Sequence, residues 1–211
     1  TVETKYPFDY TGNATLNQMV SLNMLDFPLE VIETKNASTP VKSTRNNYFN
    51  WGSINPMFDL QTVEIKNGSN AYETRLRYHS FDAEGNITAV SKENDLVKVY
   101  IWGYNNTYPV AELTGISHSQ AIGVLNQSII QNPSSDQALR TELNKIRQSF
   151  PSAQVSTYTF QPLIGVTSMT DVGGRTAFYE YDSYGRLKLI KDQNGNIIKT
   201  FKYQNQSITA N

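Results

Sequence analysis

The apolar positions along this chain follow two periods. LEVIETK from Leu29, VKSTRNNYFNW ending at Trp51, FDLQTVEIK ending at Lys66 and AYETRLRYHSF from Ala71 are short runs rich in branched and aromatic residues. Runs of this kind, bounded by Asn, Gly and Pro, predict strands. The Asn67-Gly68 pair predicts a hairpin between the last two. Leu16, Met19 and Val20 predict a short helix before Phe27-Pro28. Between Ser117 and Phe150 the period changes. Ile122, Leu125 and Ile129 are spaced 3 and 4 apart, and Leu139, Leu143, Ile146 and Phe150 are spaced 4, 3 and 4 apart. Each series marks one face of an amphipathic helix. NPSSD at 132–136 supplies a break and an N-cap, and Pro151 stops the second helix. Two helices with one apolar face each must pack on something, most simply a sheet.

A five-residue device punctuates the strands. It reads DYTGN from Asp9, DAEGN from Asp82, DVGGR from Asp171, DSYGR from Asp182 and DQNGN from Asp192. The last three follow one another at 11 and 10 residues, enough for a strand and a turn. Asp at the first position accepts from the next backbone N–H groups, and Gly at the fourth takes positive φ, the requirements of a type I turn closed by a glycine bulge. The turn residues are therefore Asp82, Gly85, Asp171, Gly174, Asp182, Gly185, Arg186, Asp192 and Gly195, with Asn or Arg starting the outgoing strand. A calcium reading competes for the aspartates, but calcium takes six to eight oxygens and no EF-hand spacing is present. YHSFDAEGNITAV from Tyr78 also aligns with YEYDSYGRLKLI from Tyr179, so the hairpins form an internal repeat of roughly 25 residues.

The expected fold is mainly β: a twisted antiparallel sheet of successive hairpins with an inserted two-helix hairpin. It divides into a β-rich region at 1–116, the helical insert at 117–151 and C-terminal hairpins at 152–211, read together as one structural unit.

Composition sharpens this picture. With 13 Tyr and 12 Gly and only 18% charged residues, the chain favours β structure with many turns. A formal net charge of −1 and the lack of a basic cluster argue against a nucleic-acid partner. No apolar run reaches the length of a membrane helix, so no membrane insertion is expected. The 211 residues contain no cysteine, which excludes disulfides, thiolate nucleophiles and Cys-based metal sites. The opening TVETKYPFDY lacks an initiating Met and is read as an excised piece of something longer.

Catalytic signals are sparse. His79 and His118 stand in no metal-binding spacing. No G-x-S-x-G elbow marks a nucleophile. No phosphate loop appears either, and no cofactor is expected. A hydrolase is the weakest reading. Trp51, Trp102, Tyr104 and Tyr108 are candidates for a surface that stacks sugars, which makes a carbohydrate-binding module the alternative function.

The Tyr181-Asp182-x-x-Gly185-Arg186-Leu187 core resembles the repeat of the RHS/YD-repeat family, and TSMTDVGGRTAFYEYD from Thr167 is similar to a preceding unit. TYTFQPLIGVTSMTDVGGRTAFYEYD particularly resembles the C-terminal stretch of large RHS-repeat proteins from Bacteroidetes. The aspartate-rich self-cleavage motif of toxin-bearing members is absent. The resemblance implies a non-catalytic scaffold segment of a large secreted or surface-associated protein, extracellular or on the bacterial cell surface. Its implied partners are the remainder of a longer repeat protein and another protein or a glycan. Exposed strand edges add an expectation of self-association.

Overall fold

The computed structural model describes residues 1–36 and 39–203. The end of the predicted C-terminal hairpin region, 204–211, lies outside them. The chain falls into two compact units that meet between Lys98 and Val99, inside the stretch that the sequence reads as one β-rich region.

The first unit holds β1 (Val2–Lys5), a 3-10 turn (Pro7–Asp9), α1 (Ala14–Ser21), β2 (Glu30–Lys35), β3 (Thr39–Asn50), β4 (Phe58–Asn67), β5 (Glu73–Phe81) and β6 (Ile87–Lys92). Each strand runs antiparallel to the next in chain order. Helix α1 is N-capped by Asn13, whose Oδ1 accepts from the Leu16 amide at 3.2 Å. Its apolar stripe buries Leu16 and Met19 with Leu29 and Phe58, and Tyr10, Met24, Phe27 and Tyr48 close around them.

The second unit holds β7 (Lys98–Gly103) from its second residue onward, β8 (Tyr108–Thr114), α2 (His118–Gly123), α3 (Gln127–Gln131), α4 (Asp136–Ser149), β9 (Gln154–Gln161), β10 (Gly165–Thr170), β11 (Thr176–Tyr181), β12 (Leu187–Lys191) and β13 (Ile197–Thr200). Its strands again stand in chain order, antiparallel from β8 to β13. β9 pairs directly with β8, so the helices are an excursion between neighbouring strands. The fold is thus mainly β, antiparallel and made of successive strand hairpins with an inserted helical segment.

That segment contains three helices where the sequence predicts two. The series Ile122, Leu125, Ile129 is cut at Val124–Asn126, because Asn126 caps a new helix by accepting from the Ser128 amide at 3.0 Å. The restart shifts the buried face: Ile130 is fully buried, Ile122 is exposed and Ile129 is half-buried. In α4 Leu139, Leu143 and Ile146 of the expected stripe are fully buried, its fourth member Phe150 is the C-cap and half-buried, and the helix packs on β9. Val99, Ile101, Val110, Leu113 and Val155 supply the buried positions of β7, β8 and β9. Alternate positions along β9 turn Val155, Thr157 and Thr159 inward. Beyond β10 the sheet thins. In β11, β12 and β13 only Leu189 is buried, and every residue of β13 is exposed.

Candidate functional site

Four of the five D-x-x-G copies make one turn. Asp82, Asp171, Asp182 and Asp192 each follow a strand, and the next strand starts right after the five-residue device. In each the Asp amide donates to the carbonyl of the fifth residue at 2.9 Å, and the Gly amide returns to the Asp carbonyl at 2.9 to 3.2 Å. Gly85, Gly174, Gly185 and Gly195 have φ between +72° and +86°, a region from which a Cβ is largely excluded. The fifth amide donates to Asp Oδ1 in all four, at 2.7 Å for Asn86, 2.9 Å for Arg175, 3.0 Å for Arg186 and 2.9 Å for Asn196.

The fifth side chain then takes the other oxygen. Asn86 Nδ2 donates to Asp82 Oδ2 at 2.9 Å and Asn196 Nδ2 to Asp192 Oδ2 at 3.0 Å. Arg175 Nε and Arg186 Nε do the same to Asp171 and Asp182 at 3.0 and 2.8 Å. Asn and Arg share this position because both carry a planar N–H that reaches back to the carboxylate. The sequence shows the pattern, but the reason for it requires the folded turn. Arg186 also lies over the rings of Tyr184 and Tyr203, 5.1 and 4.4 Å from their centroids. These bonds lower three of the carboxyls from their ordinary range. The Arg175 amide does most for Asp171, the Arg186 amide for Asp182, and the Asn196 side chain for Asp192.

The fifth copy is different. Asp9 ends the 3-10 turn and accepts from the Tyr6 amide at 2.8 Å, while Asn13 caps α1. Its D-x-x-G-N letters match, but the helical spacing after Asn13 takes the chain into a helix instead of a strand.

The four aromatic candidates fall into separate groups. In the first unit Trp51 packs against Phe49 and Phe81, with centroids 5.1 and 5.2 Å away, and its buried Nε1 makes no hydrogen bond among the described residues. In the second unit Trp102 is half-buried on β7. Tyr104 and Tyr108 meet edge to face at 84°, and Tyr108 stacks on Phe160 at 4.8 Å. They do not form one plane, but they do line one cleft of ≈ 720 Å³.

This cleft is held by strained backbone. Tyr104, Asn105 and Asn106 have φ of 51°, 55° and 57° in succession, and Leu163 on the opposite rim has 66°. Positive φ is unusual for a large side chain. Gln131, at the end of α3, clasps the three-residue turn. Its Oε1 accepts from the Asn106 amide at 2.8 Å, and its Nε2 donates to Asn106 Oδ1 at 2.7 Å and to the Trp102 carbonyl at 3.1 Å. The Tyr104 hydroxyl accepts from the Phe160 amide at 2.9 Å, and the Tyr108 hydroxyl from the Leu163 amide at 3.0 Å. Three αL residues in a row carry no sequence signal, since only the Asn pair is common there.

Two further polar sites contain titratable groups. Glu30 accepts from Tyr10 at 2.9 Å and from Tyr72, with the Arg45 guanidinium 3.7 Å over the Tyr72 ring. Burial opposes the Glu30 charge, yet the two hydroxyls and Arg45 outweigh it and lower the carboxyl. Burial, reinforced by Glu30, pushes Tyr10 up to about 12. His79 Nε2 lies 3.0 Å from Ser91 Oγ across β5 and β6. Among the described residues no carboxylate hydrogen-bonds this imidazole, and the nearby Ser80–Thr88 hydroxyl pair at 2.6 Å is a similar cross-strand tie. Among the described residues no cluster of three or more His, Asp or Glu is placed to hold a metal ion, and no helix is long and apolar enough to cross a membrane.

No protein-family profile and no curated protein matches the chain. Solved structures do resemble it. TcdB2-TccC3 without its hypervariable C-terminal region is 15% identical, with a TM-score of 0.45 over 83% of this chain and 9% of that one. TcdB2-TccC3-Cdc42 is 14% identical, with a TM-score of 0.44 over 82% of this chain and 8% of that one. The Photorhabdus luminescens Tc holotoxin pore carrying a TccC3 mutation is 12% identical, with a TM-score of 0.40 over 96% of this chain and 11% of that one. The chain spans about a tenth of the length of each.

Proposed function

We propose that this chain is a structural repeat segment, without catalysis of its own, of a larger secreted or surface-associated protein of the RHS/YD-repeat type. The observation that supports this most is the use made of the aspartates. In the turns at Asp82, Asp171, Asp182 and Asp192 both carboxylate oxygens are engaged by the turn itself. A carboxylate held in this way shapes a hairpin and is poorly placed to bind a metal or move a proton. Asp82, Gly85, Asp171, Gly174, Asp182, Gly185, Arg186, Asp192 and Gly195 are therefore assigned to turn formation. The remainder of the repeat protein is the natural partner of a sheet that leaves Ile197 and Ile198 exposed on β13.

The test combines location and calcium. The whole gene product is expressed in its own host, fractionated and labelled with a membrane-impermeant reagent. The 211-residue chain is melted with and without millimolar calcium. Surface or extracellular labelling and a melting temperature indifferent to calcium support the proposal. A cytoplasmic product, or a calcium-dependent melt abolished by Asp192→Asn, overturns it.

A further inference from the structure

The aromatic cleft of the second unit is a candidate binding site that the scaffold role does not use. Its walls combine Tyr104, Tyr108 and Phe160 with the polar groups of Asn105, Asn132 and Asp136. The chain maintains this arrangement against its own backbone preferences, with αL conformations at Tyr104, Asn105 and Leu163 on the cleft wall. Residues forced into sparsely populated conformations cluster at functional sites. Two tyrosine hydroxyls pin the opposite wall by accepting from the Phe160 and Leu163 amides, which leaves Leu163 96% exposed at the rim. Those hydroxyl oxygens are occupied as acceptors, and each O–H remains a donor.

The chemistry of the lining narrows the ligand. Among the described residues no Lys or Arg lines the cleft, and Asp136 is its single formal charge. Arg140 acts on the Tyr104 hydroxyl from outside the lining, so a phosphate, sulfate or uronate would meet Asp136 within the cleft and no lining cation. The side chains of Asn132 and Asp136 make no hydrogen bond to another described residue, so an amide and a carboxylate face the cleft with their capacity open. The rings are in contact with one another, Tyr108 on Phe160 and Tyr104 at 84° to Tyr108, so they form a wall and do not box in a cation. A ligand with one face of C–H bonds and a rim of hydroxyls matches both features: the C–H face packs on the electron-rich ring, and the hydroxyls bond to the amide and carboxylate.

We infer that this cleft binds a neutral sugar ring of an oligosaccharide, stacked on the Tyr108–Phe160 wall and hydrogen-bonded by Asn132 and Asp136.

The test titrates the 211-residue chain with cellohexaose, laminarihexaose, mannohexaose and chitohexaose by calorimetry. Polygalacturonate, a proline-rich peptide and tetramethylammonium serve as comparators. Amide and aromatic NMR shifts of the unmutated chain locate any binding without a variant. Asn132→Ala and Asp136→Ala, with melting temperatures recorded, are expected to weaken binding about ten-fold each. A neutral hexasaccharide that shifts Tyr104, Tyr108 and Phe160 and is weakened by both variants supports the inference. It is overturned by no neutral binding at millimolar sugar, by shifts centred on Trp51, by variants that leave affinity unchanged, or by binding confined to the comparators. Location and calcium response are independent of these readouts, so the scaffold proposal and this one fail separately.

Discussion

The hydroxyl of Tyr181 donates to the carbonyl oxygen of Val166 at 2.8 Å, and the end of its ring fills the space beside Gly165. A Cβ on Gly165 would lie 2.4 Å from Tyr181 Oη and 2.9 Å from Cζ. The tyrosine that precedes one turn thus locks the first residues of β10, the strand paired with its own. Tyr203 repeats the relation one hairpin later, donating to the Leu187 carbonyl at 2.9 Å. The two residues of Tyr181-Asp182 therefore do different work: the tyrosine ties neighbouring strands and the aspartate turns the chain.

Tyr181→Phe removes this one hydrogen bond and is expected to cost about 1 kcal/mol in urea denaturation. Gly165→Ala displaces the ring and breaks the same bond, at a cost of roughly 1–3 kcal/mol. Because the two changes act on one contact, the double variant should lose less than the sum of the singles. Strict additivity would show that ring and glycine are not coupled.

The turn aspartates predict an acid limb. Asp171, Asp182 and Asp192 have carboxyls lowered in the folded chain. As pH falls through the ordinary Asp range near about 3.9, the unfolded chain takes up protons before the folded one. The contribution of these groups is thus fully present above that range, declines below it, and is gone once pH has passed the lowered folded values. Replacing all three by Asn keeps an oxygen acceptor in each turn but removes the titration. Stability measured between roughly pH 5 and pH 2 should then fall less steeply than in the unmodified chain. An unchanged slope would mean that the turns do not hold the ionised form.

Much of this architecture can be read from local chemistry. D-x-x-G states its own turn because the Asp and Gly that make it lie within a few residues. The stripe of Leu139, Leu143 and Ile146 states its own helix for the same reason. What the sequence hides depends on pairing and capping. The bond from Tyr181 to Val166 exists only once β10 and β11 are in register. Ile130 replaces Ile129 in the core because Asn126 restarts the helix. Asp9 shares the turn's letters but enters α1, since Asn13 caps a helical run. The cleft is still harder to read. Tyr104 and Tyr108 are visible as aromatics, but Phe160, which both rings meet, and Gln131, which clasps the turn beside them, come from a later strand and a helix.

Gln131 is the clasp of the left-handed turn. Gln131→Ala removes the oxygen that accepts from the Asn106 amide and two donated bonds. The expected loss is roughly 1–3 kcal/mol, with faster hydrogen exchange of the Asn106 amide well before global unfolding. Gln131→Glu keeps the acceptor but loses both donors, so it should recover only part of the loss. If exchange at Asn106 is unchanged in Gln131→Ala, the turn is held by its neighbours and not by α3.

Glu142 is the buried carboxylate that joins α3 to α4. It is 3% exposed, and its Oε1 accepts from the Asn126 amide at 2.7 Å and from Lys145 Nζ at 2.8 Å. Burial raises the cost of its charge, but the bonds from Lys145 and Asn126 outweigh it and lower the carboxyl. Lys145 is half in solvent, so Lys145→Met should cost roughly 1–2 kcal/mol, more than an exposed pair is worth but less than a fully buried one. Glu142→Ala instead strands an amide at the start of α3 and opens space beneath it, with an expected loss of roughly 2–4 kcal/mol. Glu142→Gln should fall between them, since it retains an acceptor for Asn126 while giving up the ion pair. Its remaining deficit should shrink as pH falls, because acid removes the charge advantage of Glu142 but cannot change Gln. Thermal melts of the three variants at neutral and acid pH check this order. A loss in Lys145→Met as large as in Glu142→Ala would move the dominant interaction from the buried amide to the surface ion pair.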